Sequence, residues 1–185
     1  MEPLDDETRS RLLRFVRGII EAHLTGIDHD FCINAPEWAA TLPSAGAFVT
    51  LRNGSQLRGC IGTFDASEPL LPTLRRLAVS SLNDPRFRDL PVSAHELAHI
   101  RIELSLVSPM TPIDDPTSLT LGVHGIYVRQ GHRTGCFLPE VATEQEWSVE
   151  EFLSYCCAHK AGLPPDAWRS AETRVHVFTV EKLAE

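Results

Sequence analysis

Apolar residues recur along the chain with two periods, and the switches between those periods lay out the elements. Leu12, Leu13, Val16, Ile19, Ile20 and His23 fall at three-and-four spacing. That spacing predicts an amphipathic helix opened by Asp5 or Asp6 and ending near His23 at the surface. A stretch rich in Pro, Gly and Ser, 35–46, contains Trp38 and reads as a loop over the core. Residues 47–52 and 56–63 are β-prone and flank Asn53-Gly54, so an antiparallel hairpin with a tight positive-φ turn is predicted there. Ser67 is placed to cap the next helix, with Pro69 in its first turn and Leu70, Leu74, Leu77, Ala78 and Ser81 as the inner face. Asn83-Asp84-Pro85-Arg86-Phe87 ends that helix, because a residue preceding proline is driven out of the α region.

Further along, Ser93 and Glu96 have the spacing of a capping box that opens a short helix. Ile100, Ile102, Leu104 and Leu106 then alternate with Arg101, Glu103 and Ser105 as a half-buried strand. Pro109, Pro112 and Pro116 mark a connector, and a second hairpin is predicted from 122–130 to 134–138 around Gly131. Thr143 with Glu146 and Ser148 with Glu151 are two more capping-box spacings. The second opens a helix carrying Phe152, Leu153, Cys156 and Cys157, closed by Gly162 with Pro164 and Pro165 as stops. Residues 174–180 read as one final strand. Helices and hairpins do not alternate strictly, so the predicted class is α+β with a mainly antiparallel sheet and flanking helices. Neither a GxxxxGK[ST] loop nor GxGxxG is present, which excludes nucleotide binding by those routes.

The totals narrow the function classes. At 185 residues the chain is the size of one domain, or of two small lobes sharing a core. A formal charge of -8 argues against nucleic-acid binding, leaving only local basic patches at Arg75–Arg76 or Arg86 and Arg88. The five cysteines, at 32, 60, 136, 156 and 157, lack the spacing of a zinc ribbon or CxxC motif and read as reduced thiols. The first residues are acidic, and no apolar run approaches the roughly 20 residues of a membrane span. A cytoplasmic protein without a membrane segment is therefore expected.

The densest chemistry lies in 57–62, Leu-Arg-Gly-Cys-Ile-Gly. On a regular strand Arg58, Cys60 and the bare Gly62 position share one face, with Leu57 and Ile61 pointing into the core. The thiol of Cys60 then stands exposed beside a fixed positive charge, and the start of the following helix adds unpaired amides close by; both favour a thiolate. Gly59 and Gly62 leave gaps where a ligand or another backbone can approach. Arg58 and Arg86 could hold a carboxylate or phosphate. The competing reading is that thiol and glycines serve tight packing, as most free cysteines do.

Those residues resemble the AMMECR family, protein A of the AmmeMemoRadiSam system. The signature is Leu57 to Gly62. Agreement continues through Phe48-Val49-Thr50-Leu51, Asp84-Pro85-Arg86-Phe87, Glu103-Leu104-Ser105, His124-Gly125-Ile126, Leu138-Pro139 and Lys160-Ala161-Gly162-Leu163-Pro164-Pro165. The resemblance implies a single AMMECR domain over 1–185 with two unequal lobes in one compact unit, the signature hairpin 46–64 lying near their junction. It also implies partners, a Memo-like protein and a radical S-adenosylmethionine enzyme, and a family activity that is unsettled. By the same match His124 is the candidate proton carrier for Cys60. Glu140 stands where the family commonly has glutamine, which would change a pocket's electrostatics, and Cys136 where leucine is usual. A zinc site from Cys60, His124 and Cys136 would require the tertiary fold to gather them, so no metal and no cofactor is assigned. Two functions are carried forward. One is thiolate chemistry or small-anion binding centred on Cys60. The other is a non-catalytic adaptor in which 57–62 is structural.

Overall fold

The computed structural model describes residues 2–26 and 37–185. Cys32 and the start of the loop expected over 35–46 lie outside the described residues. The architecture is α+β, with four α-helices and two four-stranded sheets among the described residues. The chain divides into two compact units, one running to Val107 and including Glu181–Glu185, the other Ser108–Val180.

In the first unit, Asp5 accepts a hydrogen bond from the Thr8 N–H and so caps α1, Asp6–Thr25. Gly26, at φ 71°, closes the helix two residues beyond the expected His23, which is exposed. Its inner stripe is Leu12, Phe15, Val16, Ile19 and Ile20; Leu13 is only half buried and Phe15 takes its place. The hairpin comprises β1, Gly46–Asn53, and β2, Gln56–Thr63. Its turn is Gly54-Ser55, with positive φ at Gly54 but not at Asn53. Helix α2, Leu70–Leu82, buries Leu70, Leu74, Leu77, Ala78 and Ser81 as the periodicity required. After a 3-10 turn at Pro85–Phe87 and another at Ala94–Glu96 comes β3, Ile100–Val107. The Ser93/Glu96 capping box is present, but the helix it opens is a single 3-10 turn.

The second unit contains the two-residue β4, Thr111–Pro112, then β5, Gly125–Gln130, and β6, Arg133–Phe137. A short helix α3, Pro139–Glu144, follows the hairpin. No helix opens at Thr143: Glu146 instead adopts a positive φ of 55° while Trp147 N–H returns to the Ala142 carbonyl. The Ser148/Glu151 box does open α4, Val149–Tyr155, which widens into a π-helical turn at Cys156–Ala161 and ends at Gly162, φ 64°. The expected last strand is two. β7, Arg174–Phe178, belongs to the second sheet and β8, Val180–Ala184, to the first, with Thr179 between them.

The first sheet has the order β2-β1-β3-β8 and the second β4-β7-β5-β6. Each unit has its own core. Leu12, Val16, Ile20, Leu74, Val49 and Leu104 lie in the first, Ile126, Val128, Phe152, Leu153 and Trp168 in the second. No described helix is long and apolar enough to cross a membrane.

Candidate functional site

Pairing across the first hairpin decides where the signature points. Ala47, Val49 and Leu51 are completely buried under the helices, and they pair with Thr63, Ile61 and Gly59. Directly opposed antiparallel residues project from the same face. Thr50 and Phe48 therefore carry their partners, Cys60 and Gly62, to the other face. Between Leu51↔Gly59 and Arg52↔Leu57 the register shifts, and Arg58 has no partner. This is a β-bulge, which breaks the alternation of faces.

The bulge corrects two expectations drawn from a regular strand. Leu57 lies opposite Arg52 rather than in the core. Arg58 is not an exposed charge beside the thiol: its side chain is 5% exposed, and Nη2 donates to the Leu90 carbonyl and to Glu96 Oε2, each at 3.0 Å. Glu96 Oε2 also accepts from Ser93 N–H at 3.3 Å, so Arg58 ties the 90–96 segment to the strand.

The glycines are explained by packing. A Cβ on Gly59 would stand 2.0 Å from the Ser81 carbonyl oxygen, and one on Gly62 would stand 2.0 Å from the Phe48 ring. Ser81 is next to the C-terminal residue of α2. The end of the helix lying against the signature is thus its carbonyl end, not the anion-attracting N-terminus that was expected. α2 returns along β2 after the connection at 64–69, which leaves Leu70 far from Gly59 in helix length. Ser67 is not its cap either: Pro69 holds that position without a side-chain bond, and Ser67 N–H donates to Asp65 Oδ1 at 2.9 Å.

The cation that meets Cys60 is Arg86. Cys60 N–H donates to Asp84 Oδ2 at 3.0 Å, and Arg86 Nη2 donates to the Cys60 carbonyl at 2.9 Å. Asp84 also accepts from Arg86 N–H, Nε and Nη2 at 3.0, 3.0 and 2.6 Å. Acid and base together treat Cys60 as a neighbouring strand residue would, one taking its N–H and the other giving to its carbonyl, and so close the edge of β2 at that point. The Arg86 guanidinium holds the Asp84 carboxyl far below the usual carboxylate range, with Cys60 and Arg86 N–H adding, against burial. Asp84, chiefly, and Cys60, in smaller measure, push the Arg86 guanidinium up. Asp84 is 1% exposed and the Arg86 side chain 59%, so the pair turns its positive end outward. On the sheet face, Thr50 Oγ1 donates to Cys60 Sγ at 3.2 Å, and Cys60 itself is half exposed.

The other candidates belong to the second unit. His124 sits just ahead of β5, and its Nδ1 accepts from the Thr120 N–H at 2.9 Å within a turn. In the neutral ring the proton is therefore on Nε2. Glu140 is half-buried in the first turn of α3. Cys136 lies half-buried on β6, its thiol pushed up by burial. Among the described residues no three His, Cys, Asp or Glu side chains gather as metal ligands. Cavities of about 470 Å³, beside Phe15 and Trp38, and about 550 Å³, beside Thr173 and Arg174, are lined by other residues.

The AMMECR1 family profile matches residues 13–183. The chain belongs to the AMMECR1 family. An AMMECR1 relative from Methanothermobacter thermautotrophicus is 38% identical over 97% of this chain and 95% of its own. One from Pyrococcus furiosus is 36% identical over 100% of this chain and 91% of its own. The crystal structure of an uncharacterized protein from Pyrococcus horikoshii has a TM-score of 0.76 at 35% identity, covering 97% of this chain and 92% of that one.

Within this AMMECR1 chain, the structure joins Cys60 to Arg86, Asp84 and Thr50, while Arg58 serves the 90–96 segment. Asp84 and Thr50 were not read as site residues from sequence. Asp84 had a usable signal: an acid just past a helix end, before Pro-Arg, is free to accept from the arginine and from a strand alongside. Thr50 had none, since only the bulge places it opposite Cys60.

Proposed function

We propose that the outer face of β2 around Cys60 binds a small anion, with Arg86 as the cation and Thr50 orienting the sulfur. The observation that carries this reading is the clamp on Cys60: Asp84 is buried, and Arg86, held by it, donates to the Cys60 carbonyl while its side chain stays 59% exposed. A cation pre-ordered by a buried partner loses little freedom when it takes a ligand. Binding is favoured over a named reaction because Gly59, Gly62 and Arg58 all have packing or tying roles, and His124 Nδ1 is engaged by its own turn.

Thiolate chemistry is the second reading, and the Thr50 hydroxyl aimed at Sγ favours it. The resemblance adds a setting: the whole chain acting as one AMMECR domain in the cytoplasm, with a Memo-like protein and a radical S-adenosylmethionine enzyme as partners. The free thiols at 60, 136, 156 and 157 fit a reducing compartment.

The test is protection. Alkylation of Cys60 by neutral iodoacetamide, followed by peptide mapping, is timed with acetate or phosphate against chloride at constant ionic strength. The site predicts slowing by acetate or phosphate in the wild type and in Arg86→Lys, lost in Arg86→Gln. One rate under all anions in the wild type ends the binding proposal. Cys60→Ser in a complementation assay separates the two readings, since binding survives that change and thiolate chemistry does not.

A further inference from the structure

The second sheet contains a charge arrangement that its own packing leaves unexplained. Arg129 on β5 and Arg174 on β7 are direct cross-strand partners. Their side chains leave the sheet on one face with Cβ atoms about 5 Å apart, and like charges so placed destabilise a sheet. Both residues are exposed. The chain has 25 acidic residues and a net charge of -8, yet among the described residues neither guanidinium is ion-paired. Arg129 Nε reaches only the Gly131 carbonyl, at 3.4 Å.

Two independent observations lie beside this pair. On the same face, His176 pairs with Tyr127, and His176 Nδ1 is buried without a partner. Burial first, and then Arg129 and Arg174, hold the His176 imidazole down, so the positive charge there goes uncompensated. Arg174 also lines the cavity of about 550 Å³ formed by residues of 112–116 and 168–175. Thr173 lines it too, 8% exposed, its buried Oγ1 lacking a partner. Of the other charged groups there, Arg169 is paired with Glu150 and stacked on Trp168 at 4.2 Å, and Asp114 is the acid.

We propose that Arg129 and Arg174, with the cavity that Arg174 lines, form a site for a small doubly charged anion. One dianion bridging two guanidinium forks relieves their repulsion and uses donors of which, among the described residues, only Arg129 Nε has another acceptor, the Gly131 carbonyl at 3.4 Å. The class is phosphoryl or dicarboxylate, since both present two charges and several acceptors at this spacing. The site belongs to the second unit and is independent of the Cys60 reading.

The experiment uses the full chain at constant ionic strength, with inorganic phosphate and malonate as probes and chloride as control. Amide and arginine Nε chemical shifts and the thermal midpoint are followed. Either dianion is expected to shift Arg129 and Arg174 and raise the midpoint. Response to phosphate alone assigns the phosphoryl class; response to both assigns dianions generally. Arg174→Gln is expected to raise the anion-free midpoint by about 1–3 °C as repulsion is relieved. It should also weaken phosphate binding about tenfold or more. The Arg129 and Arg174 shifts should persist in Arg86→Gln, whose own loss of phosphate binding bears only on the midpoint. Shifts equal to those in chloride, or phosphate binding unchanged in Arg174→Gln, overturn the proposal.

Discussion

Asp84→Asn keeps the shape of the side chain and removes its charge, which makes it the sharpest probe of the clamp on Cys60. The native carboxylate accepts four hydrogen bonds, one from Cys60 and three from Arg86. An amide can accept at one atom and must turn an N–H₂ toward donors at the other. The ion pair with Arg86 contributes only about 0–1 kcal/mol, because the Arg86 side chain is 59% exposed. Leaving the Cys60 N–H unsatisfied at the strand edge costs about 1–3 kcal/mol. Asn caps a helical turn about as well as Asp, so the Pro85–Phe87 cap adds little. The expected loss is about 1–4 kcal/mol, or about 2–15 °C in a chain of this size.

The same substitution predicts a pH dependence. Arg86 chiefly holds the Asp84 carboxyl well below its ordinary value of 3.8. Its stabilisation is therefore fully present above that value and fades as pH falls below it. Urea unfolding should show a constant gap between wild type and Asp84→Asn from about pH 5 to 8, narrowing below about pH 4. A gap under about 0.5 kcal/mol, or one that stays open at low pH, refutes the reasoning.

Gly59→Ala drives a methyl group to 2.0 Å from the Ser81 carbonyl and should cost about 2–4 kcal/mol in urea unfolding; a near-neutral result would mean that α2 does not seat against β2 at Gly59. Gly62→Ala meets both the Phe48 ring, at 2.0 Å, and the Ala47 carbonyl oxygen, at 2.6 Å, so its cost of about 2–4 kcal/mol should fall in part but not vanish in a Phe48→Ala background, where the edge-on contact of Phe48 with Phe64 no longer has to give. Equal costs in both backgrounds would discard that explanation. Burial first, then Cys157, pushes the Cys156 thiol up, and burial does the same to Cys157. Both should resist iodoacetamide in the native protein and react only on unfolding; rapid native labelling would contradict their place in the core.

Much of the fold was written in local pattern. The α1 stripe, the α2 inner face, the hairpin and the Ser148/Glu151 box all follow from spacing that short-range physics reads directly. What sequence could not supply was register. With Asn53 opposite Gln56, an unbulged hairpin would set Val49 against Cys60 and turn the thiol into the core; the unpaired Arg58 shifts the match to Thr50 and turns it outward. That single extra residue buries the arginine expected beside the sulfur. The resulting vacancy goes to Arg86, whose position depends on α2 returning along β2. The split of 174–180 between two sheets at Thr179 was equally hidden, since both halves are β-prone and only tertiary pairing separates them.

The central claim is that Arg86, fixed by Asp84, places outward positive charge beside the Cys60 sulfur. Reagent charge measures it directly, through the rate ratio of iodoacetate to iodoacetamide at Cys60 set against the ratio for a small free thiol. A cation near the sulfur is worth about 1 kcal/mol to an anionic reagent, so the ratio should rise about fivefold in low salt, decline with added salt, and return to the free-thiol value in Arg86→Gln. A ratio equal to that of the free thiol in the wild type, or unmoved by Arg86→Gln, would contradict the account.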